Sequence, residues 1–319
     1  MNQLIVASSP HLHTKINTSK TMLCVIIALI PAFLASIYLF GFRALLLIAV
    51  TVISAVASEY IFEKVTKRKN TINDFSAAIT GLLLAFSFPP SLPLWIAVIG
   101  AVTAIVVVKQ MFGGIGYNFA NPAITARIIL MVSFPARMTE FDPPSNGFAN
   151  FFNPDAVASA TSSATPLGQL ESLGKYTDSY LDMILGVRAG SIGETCTIAL
   201  LLGGIFLVCF KIISPVIPLT FVGTVFVLSF LLGLDPFMQI LSGGLVIGAI
   251  FMATDYVTSP ITLKGKFIFS LGCGILTVLI RKFAALPEGV SYSILLMNIL
   301  TPHIDNLCRP KTYGGGEKK

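Results

Sequence analysis

Ten stretches dominated by apolar residues run along the chain. Five lie near 21–40, 43–62, 75–88, 92–109 and 122–135, and five more near 194–211, 215–233, 237–253, 266–281 and 289–303. None shows the two-residue alternation of a strand that faces lipid on one side and a lumen on the other. A helix needs roughly 17–25 apolar residues to cross a hydrocarbon core of about 30 Å. Inside lipid, every backbone polar group has to be satisfied within the protein. The pattern therefore predicts an all-α polytopic membrane protein of about ten transmembrane helices, several of them short or bounded by proline. It divides the chain into an N-terminal arm at 1–20, a first five-helix group at 21–135 and a polar region at 136–193. A second five-helix group at 194–304 and a tail at 305–319 complete it.

Composition agrees. Hydrophobic residues make up 55% of the 319 and charged residues 11%, with a mean hydropathy of +0.84. A soluble domain carries about 25% charged residues. The deficit extends along the whole chain, which excludes a soluble domain with one anchor, and the expected surroundings are membrane lipid. The net charge of +6 does not point to nucleic acid, because the basic residues sit in short loops between apolar stretches. There they set orientation in a bilayer. With the N-terminus in the cytoplasm, fourteen of the 21 Lys and Arg fall on the cytoplasmic side, Lys64, Lys67, Arg68, Lys69 and Lys109 among them. Six fall outside, including Arg43, Arg137, Lys175 and Arg188, and Arg127 lies within a span. This bias predicts both termini in the cytoplasm and region 136–193 outside. The first twenty residues are polar and the first apolar stretch lacks a small-residue cleavage site, so no cleaved leader is expected.

The two halves are related in pattern. Ser76–Pro93 and Gly243–Pro260 align with Gly81 on Gly248, Ser87 on Thr254 and Pro93 on Pro260. Five spans in each half make the expected repeats inverted. Inverted repeats place ligand sites where interrupted helices meet near the membrane midplane. The interruptions here are FPPSLP and LPEGVSY towards the outside, and GGIGYNFANP and ATDYVTSP towards the inside.

Few residues carry candidate chemistry. The polar region holds Ser162-Ser163-Ala164-Thr165-Pro166-Leu167, within a Ser/Thr-rich run whose ordinary role is to make turns. Pro166 favours an extended conformation at Thr165, which would present its hydroxyl. The segment Gly113–Ala123 reads first as a glycine turn followed by an Asn121 cap and Pro122 at the first helical turn. The carboxamides of Asn118 and Asn121 also offer donors and acceptors that suit a ring with amide and carbonyl edges. No GK[ST] follows, so a phosphate loop is the weaker reading. Glu59, Asp74, Arg127, Asp255, Glu288 and Asp305 lie near membrane depth, where ionisable residues are functional candidates. All but Arg127 fall near predicted span ends, where solvation is the ordinary alternative, and Arg127 is expected to have a partner. The five cysteines form no CxxC pair and read as small apolar residues, and the three histidines are scattered. No metal site is expected.

GGIGYNFANPA, SSATPL, FMATDYVTSP and LPEGVSYSILLMN together resemble the RnfD/NqrB family. Its members are the RnfD membrane subunits of the Rnf ferredoxin:NAD oxidoreductase complexes and their relatives, the NqrB membrane subunits of the sodium-translocating NADH:quinone reductase. The likeness runs from about Asn73 to Asp305, and the short N-terminal arm favours the Rnf side of the family. The resemblance implies a subunit of the bacterial inner membrane that relays electrons between partner subunits on the two membrane faces, coupled to ion translocation. No complete active site is expected in this chain alone. It implies FMN joined by a phosphoester to Thr165, at the end of a motif that Ser162, Ser163 and Ala164 match with Ser in place of the usual Gly. Attachment would need a dedicated flavin transferase. It also implies a second, non-covalent flavin, riboflavin, beside Asn118 and Asn121. Tyr256 stands where the family usually has Pro. The competing reading is a small-solute channel on the same fold, which would have no use for SSATPL.

Overall fold

The computed structural model describes residues 17–68, 70–144, 165–173, 179–284 and 288–309. These contain thirteen α-helices and no strand. Helix α1 covers Thr18–Val65 and begins where the Asn17 side chain accepts from Thr18 N–H at 2.9 Å. A straight helix of its 48 residues would measure about 72 Å at 1.5 Å per residue, more than twice a hydrocarbon core. Gly41 breaks it, with φ 68 and ψ −153, a conformation glycine adopts without steric cost. The two parts fall on the first two predicted stretches.

Helix α2 spans Ser76–Phe86, and Asp74 holds its start by accepting from Ser76 N–H at 2.9 Å and Ser76 Oγ at 2.5 Å. Helix α3, Leu94–Val102, continues as a π-helical stretch over Thr103–Gln110. Helices α4 (Pro122–Ser133) and α5 (Pro135–Thr139) follow. The polar region contributes α6 (Pro166–Leu173) and α7 (Tyr180–Leu185). The second half holds α8 (Thr197–Cys209), α9 (Val216–Leu231), α10 (Pro236–Leu241) and α11 (Leu245–Ile247). The last of these also runs on into a π-helical stretch, Gly248–Met252. Helices α12 (Leu263–Phe283) and α13 (Val290–Leu307) end the fold. Each predicted apolar stretch is helical over most of its length. By length and composition, α1 and α12 suffice to cross a membrane, and α2, α3 with its π-helical extension, α4, α8 and α9 are shorter apolar helices.

Helix α1 packs on α2, α3 and α8, while α9 packs on α12, α12 on α13 and α13 on α4. Contact between α1 and α8 is close: a Cβ on Gly203 would overlap the Ala28 carbonyl oxygen. Phe40, Phe86, Phe88, Phe221 and Phe269 fill the interior. Leu34, Ile53, Leu219, Phe230 and Leu231 are more than half exposed. Bulky apolar side chains on the outside of a well-packed apolar interior are the surface of a membrane protein, since soluble monomers rarely show such area.

Candidate functional site

The glycine run before α4 turns sharply because Gly113, Gly114 and Gly116 all have positive φ, at 125°, 94° and 92°. The loop delivers the chain to Asn121, whose Oδ1 accepts from Ala123 N–H at 3.0 Å and Ile124 N–H at 3.3 Å. This is the expected N-cap, with Pro122 at the first helical position. Asn121 also joins the two halves. Its Nδ2 donates to the Met252 carbonyl at 3.2 Å, at the end of the second π-helical stretch. Its backbone N–H donates at 3.1 Å to the Asn298 carboxamide, which donates in turn to the Thr258 carbonyl at 3.2 Å.

Between this loop and Thr254–Val257 lies a cavity of about 820 Å³, counting its open mouth. Asn118, Asn121, Ser76, Lys109, Asp255 and Tyr256 contribute to its walls along with apolar residues of both halves. The two asparagines expected beside a ligand, Asn118 and Asn121, are thus brought by the fold to one wall. They differ in occupation. The Asn121 carboxamide is committed to the helix cap and to Met252, whereas the Asn118 Oδ1 is buried without a hydrogen-bond partner among the described residues. Such a group costs about 1–3 kcal/mol. Asp255 accepts from Thr258 Oγ1 at 3.2 Å, and the Tyr256 hydroxyl donates to the Ile212 carbonyl.

Lys109 carries no mark of a site in the sequence beyond its charge. It is fully buried, and its Nζ lies 2.5 Å from Glu59 Oε1 and 2.6 Å from Ser76 Oγ. Gln110 Nε2 also donates to Glu59 Oε1, at 2.7 Å. Glu59 is therefore a buried, paired group and not a solvated span end. The available signal was the pairing of opposite charges inside two apolar stretches, fifty residues apart.

Further along α4, Arg127 finds the expected partner. It forms an ion pair with Glu288, just before α13, and Nη1 lies 3.4 Å from Ser291 Oγ. A Cβ on Gly244 would stand 3.1 Å from Glu194 Oε2 and 3.6 Å from Arg127 Nη1, so the second carboxylate is close by. Arg281 donates to the Gln239 carbonyl at 2.6 Å and to the Ser242 carbonyl at 3.0 Å. Asp305 accepts from Ile261 N–H at 3.2 Å.

Thr165 is the residue before the first turn of α6, and its Oγ1 accepts from Gly168 N–H at 3.2 Å. This is an N-cap contact, with Pro166 as the first helical residue, where its missing N–H costs nothing. Leu167 is buried, and a Cβ on Gly243 would meet Leu167 and Arg281 at 3.0 Å each. Leu167 thereby holds the start of α6 against the body of the protein. Ser162, Ser163 and Ala164 lie outside the described residues. No group of three His, Cys, Asp or Glu suited to a metal is found among the described residues, and the described cysteines are free.

A family model described as "NQR2, RnfD, RnfE family" matches residues 5–314. The chain is 44% identical to the D-type subunit of the Na(+)-translocating ferredoxin:NAD(+) oxidoreductase complex of Acetobacterium woodii, over 98% of this chain and 97% of the relative. It is also 44% identical to the proton-translocating counterpart of Clostridium ljungdahlii, again over 98% and 97%. A third relative, the D-type subunit of the ion-translocating oxidoreductase complex of Stutzerimonas stutzeri, is 40% identical over 93% of this chain and 92% of its own length.

Proposed function

Since the chain belongs to the NQR2, RnfD, RnfE family, we propose that it is the flavin-carrying membrane subunit of an ion-translocating ferredoxin:NAD oxidoreductase complex. In this reading it relays electrons between partner subunits on the two faces of a bacterial inner membrane. The observation that carries it is the cavity on whose wall the Asn118 Oδ1 is buried and unpartnered. An isoalloxazine presents an imide N–H for such an acceptor, and the apolar residues of the lining suit its ring faces. Asn121 holds the loop in place by capping α4 and bridging to Met252, and Asn118 orients the ligand. The Lys109 and Ser76 side chains add polar groups beside the apolar residues of the lining.

For the covalent group, Thr165 at the N-terminus of α6 is the acceptor. Helix N-termini favour phosphate, because their first amides point outward and the macrodipole is positive there. FMN, when bound, supplies one- and two-electron chemistry, and the protein supplies position and electrostatics. The inverted repeat has support in the order of elements. At the register that sets Gly81 on Gly248, α2 falls on α11 with its π-helical extension, α3 on α12, and α4 on α13. Both termini in the cytoplasm and region 136–193 outside follow from the charge bias.

The test is made on the full chain, produced with and without a flavin transferase. With it, the denatured band should fluoresce, and Thr165→Ala should remove that signal while membrane insertion persists. Asn118→Ala should lower the flavin released on denaturation about tenfold or more at limiting ligand, from the loss of one buried hydrogen bond. A fluorescent Thr165→Ala band, or unchanged released flavin in Asn118→Ala, would overturn the corresponding assignment.

A further inference from the structure

Lys109 is an ammonium held almost entirely out of water at the wall of the cavity. An ammonium has three donors. Among the described residues two are taken, by Glu59 Oε1 at 2.5 Å and Ser76 Oγ at 2.6 Å. Ser76 in turn donates to Asp74 Oδ1 at 2.5 Å. Lys109 and Ser76 line the cavity and Glu59 does not. The pair is therefore polarised, with its positive end towards the cavity and its carboxylate behind. Glu59 Oε1 accepts from both Lys109 and Gln110, while Oε2 is buried without a partner. The lining is mainly apolar and Asp255 is its only carboxylate among the described residues, so such a charge is less screened there than in water.

We infer that Lys109 biases this cavity towards the reduced form of the flavin, by facing the ring with a fixed positive charge that Glu59 holds in place. The inference rests on the reading of the cavity as a flavin site. A neutral isoalloxazine that takes up two electrons from a redox partner and one proton from solvent carries one negative charge. The Lys109 ammonium stabilises that charge and has no comparable effect on the neutral ring. Lys109 thus sets the balance between the two forms, while Asn118 recognises both alike. Ser76 is a positioning residue, since it holds the ammonium against the cavity wall.

The experiment measures riboflavin affinity of the full chain in detergent, once oxidised and once under dithionite, and takes the ratio of the two dissociation constants. Glu59→Gln/Lys109→Gln removes both charges, so no unpaired buried ion remains. Its preference for the reduced ring should fall at least tenfold relative to the natural chain. Tenfold converts to about 30 mV for a two-electron couple. Glu59→Gln alone leaves the ammonium uncompensated and should raise the preference. Should the double variant fail to fold, the Glu59→Gln shift decides the question. Asn118→Ala should weaken both forms equally and leave the ratio unchanged. A ratio unmoved in the charge variants, with riboflavin still bound, refutes the role of Lys109 and leaves the flavin site standing. No riboflavin binding by the natural chain in either state overturns both.

Discussion

Arg127 offers the sharpest test of how the two halves are joined. It is buried on α4 and pairs with Glu288, just before α13 in the other half. Glu194 stands across Gly244 from the same guanidinium. Removing one partner of a buried ion pair costs about 3–5 kcal/mol, mostly because the other charge is stranded. The two partners are not equivalent here. Arg127→Met strands Glu288 and also removes a cation close to Glu194, so its cost should lie at the upper end, about 5 kcal/mol. Glu288→Gln keeps an acceptor for Arg127, which retains Ser291 and the neighbouring Glu194, so about 3 kcal/mol or less is expected. Removing both, in Arg127→Met/Glu288→Met, should cost less than the sum by about 1–3 kcal/mol. Reversible unfolding of the purified chain in mixed micelles, followed by Trp95 fluorescence and circular dichroism, gives the four free energies. If the two single changes add to within about 0.5 kcal/mol, or if Glu288→Gln is the more damaging, the pair does not couple the halves as described.

Two further outcomes follow from separate features. Cysteines placed singly at Ser145 and Lys67 in a cysteine-free background should react from opposite sides with an impermeant thiol reagent, and external labelling at Lys67 would invert the topology. Gly203→Val places its branched carbon where even a Cβ would overlap the Ala28 carbonyl. Overpacking costs about 1–3 kcal/mol or more, so a lower melting midpoint is expected, and an unchanged one would mean that α1 and α8 do not approach this closely.

Much of the fold is legible in the sequence because apolar length is a strong signal. The ten stretches are helical where the hydrophobic pattern puts them, and Asn121 and Pro122 open α4 as cap and first-turn residues do in any helix. What the pattern does not show is how short helices continue. Nothing in the composition of Thr103–Gln110 separates a π-helical stretch from an α-helix, since both keep one apolar face over two turns. The site is half legible. Asn118 and Asn121 stand out in the glycine-rich segment, but their division of labour depends on Met252, 131 residues from Asn121. Lys109 reads as a loop charge because it ends an apolar stretch, and only tertiary packing sets it against Glu59. The partner of Arg127 is expected in kind but not by position.

The π-helical stretches have a consequence for how this protein could have arisen and how it can be altered. Their backbone bonds skip one residue more than in an α-helix, as in Met111 N–H to the Val106 carbonyl at 3.0 Å and Ala253 N–H to the Gly248 carbonyl at 2.7 Å. Each is equivalent to a small insertion in an ordinary helix. Inserted residues change phase: everything beyond them is rotated by about 100° per residue relative to the helix before. Both stretches end at the cavity, so the extra residue in each decides which side chains look into it. A deletion of one residue from Ile105–Val107 would let the helix relax to α geometry and swing Lys109 and Gln110 away from Glu59. Polar side chains can thus be brought to a membrane cavity by changing the length of a helix rather than its residues.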